Sequence, residues 1–110
     1  MKSDRVYLLH IRDSIARIDH YANRGRDVFE SDSMVQDAVI RNLEVIGEAV
    51  KSLGESFRGQ HPEIPWSSIA GMRDRLIHHY FQVDLDLVWN VVVKHLPPLR
   101  KVVNDALATD

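Results

Sequence analysis

Arg73, His78 and Tyr80 stand in the run Arg73-Asp74-Arg75-Leu76-Ile77-His78-His79-Tyr80, which reads R-x4-H-x-Y. It places a guanidinium, an imidazole and a phenol within two turns of a predicted helix. A guanidinium offers a planar, permanently charged fork for phosphate, and an imidazole moves protons near neutral pH. Together they are the minimum set for cutting RNA without a metal. Successive residues of a helix turn by about 100°, so Ile69, Leu76 and Tyr80 fall within roughly 60° of Arg73, with Met72 a little further round. Arg73 therefore belongs at the edge of a core-facing stripe. On that geometry alone, a stem packed on the core with its head reaching a carboxylate or water is an equally good reading.

His78 falls about 140° from Arg73 on the same wheel. One straight helix cannot bring both groups onto one substrate atom. Either the backbone turns near His78, or a second copy of the chain completes the site across a two-fold axis. Asp74 and His78 are four apart on one face, where a carboxylate could orient the imidazole and raise its pKa. The plainer alternative is a solvated ion pair worth a few tenths of a kcal/mol. Arg75 and His79 form a similar pair on another face, best read as surface. Tyr80, an aromatic at the end of an apolar stripe, reads by itself as packing with its hydroxyl at the edge.

The elements that must position these groups are helical throughout, since no segment alternates like a strand. A first helix is predicted from about Asp4 to Ala22, with Leu8, Ile11, Ile15, Ile18 and Ala22 as its apolar set and Gly25 just beyond its end. A second opens after Ser31-Asp32-Ser33, with Ser33 and Gln36 spaced for a capping box. Its stripe is Val39, Leu43, Ile46, Val50 and Leu53, and Gly54 stops it. Glu55 to Ile64 reads as a loop with a single turn around Phe57. Pro65 opens a third helix at its first position, running to about Tyr80. Asp84 or Asp86 caps a fourth, with Leu87, Val88, Val91, Val92, Leu96, Leu99, Val103 and Leu107 as its apolar set. Pro97-Pro98 should kink or split it. Four or five helices with short connections imply an all-α antiparallel bundle in a single domain over residues 1–110.

Composition narrows the classes. At 110 residues, 45% hydrophobic and 27% charged, the chain suits one ordered domain. No apolar run approaches the roughly 18–20 residues that span a bilayer, and the N-terminus does not read as a signal peptide, so a cytoplasmic location is expected. With no cysteine there is no disulfide framework and no thiolate metal site. Fourteen Lys and Arg against sixteen Asp and Glu leave a net charge of −2, which is not the footprint of a general nucleic-acid binder. A nuclease would need a local basic site, for which Arg24, Arg26, Arg41, Lys51, Arg58, Arg73 and Arg75 are the candidates. His10, His20, His61, His78, His79 and His95 show no H-E-x-x-H or comparable ligand spacing, which argues against a metal hydrolase.

Three blocks taken in order, RNLEVIGEAVKSL (41–53), PWSSIAGMRDRLIHHYF (65–81) and DLDLVWNVVVKHLPPL (84–99), resemble the HepT-like toxins of the HEPN ribonuclease superfamily. The central block is the specific one, because it carries R-x4-H-x-Y after a Pro-Trp helix start and Ile-Ala-Gly-Met. The resemblance implies a HEPN-like helical bundle that forms a homodimer, with a cleft lined by the motif of both protomers. It implies a metal-independent endoribonuclease needing no cofactor, the toxin of a type VII HepT/MntA-like toxin–antitoxin pair, with transfer RNA as its substrate class. Arg73 and His78 would be catalytic, with Asp74 supporting. Tyr80 would receive AMP from a minimal nucleotidyltransferase antitoxin of the MntA type. Neither DNA nor membrane is an expected partner. Asp74 departs from the asparagine frequent in relatives, which puts a charge beside His78. Gly47 and Glu48 match the family text, Gly47 as a point of close helix approach and Glu48 with no assigned role. Two other readings stay open: a non-catalytic helical partner of a nucleotidyltransferase, and a degenerate member that folds, dimerises and cuts nothing.

Overall fold

A computed structural model describes residues 2–78 and 84–109, with residues 2, 3, 73, 77 and 78 described by their backbone alone. Every regular element among them is helical. The order is α1 (Lys2–Ala22), α2 (Arg26–Ser31), α3 (Ser33–Ser52), α4 (Glu55–Gly59), α5 (Trp66–His78), α6 (Leu85–Asn90), a π-helical turn (Val91–His95) and α7 (Leu96–Ala108). α1, α3, α5 and the composite rod from α6 to α7 are the main helices. α2 and α4 are short connecting turns.

The apolar periodicity finds its expected partners. Leu8, Ile11, Ile15 and Ile18 of α1 are buried against Val39, Leu43, Ile46 and Val50 of α3, and Leu99 and Val103 of α7 close the same core. Burying each such side chain is worth about 1.5–3 kcal/mol, so this set dominates the packing. Polar ties at the helix ends give the directions. The Asp4 carboxylate in the first turn of α1 accepts from the Gly54 N–H beyond α3 at 2.9 Å. Asp19, near the end of α1, takes both its oxygens to one Arg100 nitrogen of α7, at 2.7 and 2.6 Å. α1 thus runs antiparallel to α3 and to α7.

Several local features differ from the sequence expectation. Residues 26–31 form a helix that no periodicity announced, because six residues are too short for a stripe. That turn carries Phe29 fully into the core, stacked at a tilt on Trp89 with ring centroids 5.3 Å apart. Asp32, not Ser33, caps α3, accepting from Met34 and Val35 N–H. Gln36 does not close a capping box and instead donates to the Phe29 and Glu30 carbonyls, fastening α2 to α3. A carboxylate outcompetes the hydroxyl one residue on, because it is the stronger acceptor for backbone N–H.

Pro65 stands one position earlier than expected, since its carbonyl accepts the first bond of α5, from Ile69 N–H at 3.0 Å. The prolines at 97 and 98 split the fourth rod as anticipated, in the form of a widened turn. Leu96 N–H reaches back five residues to Val91 C=O, and α7 restarts with proline in its first positions. The expected apolar positions stay buried through the turn, from Val88, Val91 and Val92 to Leu96, Leu99 and Val103. Leu87 is left 40% exposed, while Val102 is buried.

Two glycines play opposite parts. Gly25 has φ 98° and ψ 163°, a region essentially confined to glycine, whereas Gly54 has φ −66° and serves for close approach to Asp4. Gly25→Ala should therefore lower unfolding free energy by about 1–3 kcal/mol although nothing lies near its Cβ position. Gly54→Ala should stay within about 1 kcal/mol of the parent, its methyl meeting Asp4 Oδ1 at an ordinary 3.4 Å. Urea titrations of the two variants check this contrast.

Trp66 clips the 53–64 connection onto α5: its indole N–H is shared between the Arg58 and His61 carbonyls at 3.0 and 2.9 Å. Trp66→Phe keeps the ring and removes the donor. It should cost about 1–3 kcal/mol in the same urea assay, and equal stability would rule out the clip.

Candidate functional site

The candidate residues ride on α5. Ile69, Met72 and Leu76 are buried along one stripe of this helix, as the wheel predicts. Its inward side faces the core, and its start packs along α6, with Pro65, Ile69 and Met72 opposite Leu87, Val91 and His95 across a groove of about 90 Å³. Burial of that stripe sets the angular position of everything else. Arg73 stands at its margin on the helical backbone, and His78 is the last described residue of α5. Their side chains, and Tyr80 altogether, lie outside what the structure describes.

Asp74 is described in full. It is half exposed, and its Oδ1 lies 3.6 Å from the Lys51 ammonium at the end of α3. This pair crosses from α3 to α5 one helical turn before His78. Because Trp66 lies over Arg58 and His61 while Asp74 lies beside Lys51, α5 runs back along α3 from that end.

The other basic candidates do not gather here. Arg26 joins α2 to α6, bonded to Glu30 at 2.9 Å and to Asp86 at 2.6 Å. Hydrogen bonding to Glu30 first, and to Asp86 after it, pushes its guanidinium above the usual value. Arg41 lies 3.6 Å from Glu44 on the outer side of α3. Arg58 sits in α4 with its Nε buried, and Arg75 lines the α5–α6 groove. Of that basic set, Lys51 forms an ion pair with the motif helix, through Asp74. The sequence supplied Lys51 as one basic residue among seven. Its tie to Asp74, 23 positions away, carries no short-range signal.

Two further cavities lie away from α5. One of about 240 Å³ between α1 and α3 is bounded by Tyr7, His10, Arg41, Glu44 and Glu48 among others. Another of about 330 Å³ between α1, α4 and α7 is bounded by residues including Asp4, Phe57, His61 and Asp105. Neither of these two takes a residue from α5. Among the described residues, no group of three or more His, Asp or Glu side chains converges as metal ligands would, and no helix is long and apolar enough to cross a membrane.

Comparison with known proteins places this geometry. The family profile described as Ribonuclease HepT-like matches residues 11–106. A protein of Caldanaerobacter subterraneus subsp. tengcongensis, provisionally named an RNase, is 42% identical over 108 residues, 97% of this chain and 96% of its own length. The probable ribonuclease HepT of Thermococcus cleftensis is 42% identical over 100 residues, 90% of this chain and 91% of its own. A Methanocaldococcus jannaschii protein, whose name joins a gamma-glutamylcyclotransferase to a provisional RNase, is 46% identical over 101 residues. The match takes in 91% of this chain, which spans only 46% of that protein. No solved structure gives a significant match. With near full-length agreement and the R-x4-H-x-Y run inside the matched region, this chain belongs to the HepT-like ribonuclease family.

Proposed function

We propose that the chain is a metal-independent endoribonuclease acting on tRNA, the toxin of a type VII HepT/MntA-like toxin–antitoxin pair in the cytoplasm. The observation that carries this reading is the intact Arg73-x4-His78-x-Tyr80 run inside a family match that spans residues 11–106. Its architecture would be one HEPN-like helical domain, working as a homodimer. The 140° between Arg73 and His78 supports the dimer, since a second copy supplies what one helix cannot bring together.

The chemistry follows from the groups. Arg73 holds the scissile phosphate and stabilises charge growing on its non-bridging oxygens. His78 takes the proton from a 2′-hydroxyl, and the 2′-oxygen attacks phosphorus as the bond to the 5′-oxygen breaks. The partner subunit's His78 gives a proton to that leaving oxygen. The products are a 2′,3′-cyclic phosphate and a 5′-hydroxyl end. Asp74 orients the imidazole from one turn away.

His78→Ala and Arg73→Ala should each reduce cleavage of pooled tRNA in excess EDTA by about 100-fold or more with the fold intact by circular dichroism. Cleavage by the parent that EDTA abolishes would overturn the metal-free chemistry. An intact, unmodified parent that cuts nothing would favour the non-catalytic partner of a nucleotidyltransferase; the net charge of −2 lends weight to the other reading, a degenerate member that folds and cuts nothing.

Neutralisation follows from electrostatics at the same face. AMP on Tyr80 sets an anionic nucleotide beside Arg73 and His78, where it occupies the phosphate position and repels RNA. Incubation with an MntA-type nucleotidyltransferase and ATP should add AMP to the parent, seen by intact mass, and silence it. Tyr80→Phe should acquire no AMP and keep cutting, and silencing of that variant would place the modification elsewhere.

A further inference from the structure

Lys51 reaches α5 from another helix, and it does so at Asp74. A lone exposed ion pair of this kind contributes about 0–1 kcal/mol and would need no further meaning. Its position gives it one. Asp74 stands between two groups: Lys51 across the helix–helix boundary at 3.6 Å, and His78 one turn on along the same face of α5. A carboxylate has two oxygens and about four acceptor sites, enough to serve an ammonium and an imidazole together.

We propose that Lys51 is a positioning residue for the ribonuclease site: it holds the Asp74 carboxylate at the α3–α5 boundary and offsets its charge. Asp74 then orients His78 without locking it in the protonated form. The inference rests on the ribonuclease reading given above. It also resolves the local charge. Asp74 beside His78 would by itself favour imidazolium and weaken the group that must accept a proton. With Lys51 in place the boundary pair is neutral, and Arg73 remains as the net positive charge for phosphate.

The other charged groups around this end of α5 have their own engagements. On α3, Glu44 lies beside Arg41, and Glu48 lines the cavity toward Tyr7 and His10. On the α6 side, the Asp84 carboxylate accepts from Leu87 N–H and Asp86 bonds Arg26. On α5 itself, Arg75 lines the groove facing Leu87 and Val91. The ion pair of Lys51 and Asp74 stands one helical turn before His78 on α5.

The test is an NMR titration of the His78 imidazole, assigned by its loss in His78→Ala, in the parent and in Lys51→Met, Lys51→Arg and Asp74→Asn. Lys51→Met should raise the His78 pKa by about half a unit or more, because the carboxylate is left unopposed; Asp74→Asn should lower it, and Lys51→Arg should restore the parent value. The rising limb of the pH–rate profile for RNA cleavage should move with it. A purely structural tie would lower stability and leave the titration where it was. An unmoved His78 in Lys51→Met overturns the proposal. If the parent cuts no RNA, the ribonuclease reading fails on that result, while the titrations still decide whether Lys51 acts on His78 through Asp74.

Discussion

The stripe of Ile69, Met72 and Leu76 on α5 governs where the chemistry of this protein can stand. Each of these side chains is buried, and burying such a group is worth about 1.5–3 kcal/mol. The pair between Lys51 and Asp74, half exposed on both sides, is worth about 0–1 kcal/mol at most. The apolar term therefore chooses the rotation of α5, and the polar groups take the positions that rotation leaves them. Arg73 stands at the margin of the stripe, Asp74 beyond it beside α3, and His78 about 140° from Arg73. A helix cannot turn one group toward a substrate without turning the other away, and this is the physical ground for expecting two copies at one site.

That rotation matters only if α5 is held firmly, and three contacts from outside the motif hold it. Trp66 buries its ring at the start of the helix and gives its indole N–H to two carbonyls of the preceding connection. Asp4 ties the end of α3, from which that connection departs, to the first turn of α1. The widened turn at 91–95 lets the α6–α7 rod pass Pro97-Pro98 and still offer Val88 and Val91 inward next to α5. Asp4 gives the Gly54 N–H a partner, and the two carbonyls give the Trp66 indole N–H its acceptors, where buried unpaired groups are costly.

Charge is distributed in the same economical way. The net charge is −2, and cations over much of the molecule stand next to carboxylates: Arg26 with Glu30 and Asp86, Arg41 with Glu44, Arg100 with Asp19, Lys101 with Asp105. Any attraction for a polyanion then has to be local, because Lys51 too stands beside a carboxylate, that of Asp74. An enzyme of this kind would depend on a few short-range contacts more than on a long-range field, since exposed charges beyond about 8–10 Å are screened at ordinary salt.

The sequence by itself determined the long helices and the inward residues, because a 3.6-residue period of Leu, Ile and Val leaves little choice of face. Leu8 to Ile18 and Val39 to Leu53 were legible for that reason, as were the stop at Gly25 and the break at the paired prolines, while the cap of α6 was narrowed to Asp84 or Asp86 and the structure places it at Asp84. The R-x4-H-x-Y run was legible because its residues are close in the chain. The short turn at 26–31 was hidden, since one turn has no period, and so was the choice of Asp32 over Ser33 as cap, which two adjacent candidates leave open. The exposure of Leu87 was hidden as well, because it stands next to Val88 and packing alone decides which of two adjacent apolar residues turns inward. Only the tertiary structure brought Lys51 to Asp74 and left Arg26, Arg41 and Arg58 elsewhere. Which charges meet across two helices depends on how those helices pack, and packing is decided by the core far more than by the charges themselves.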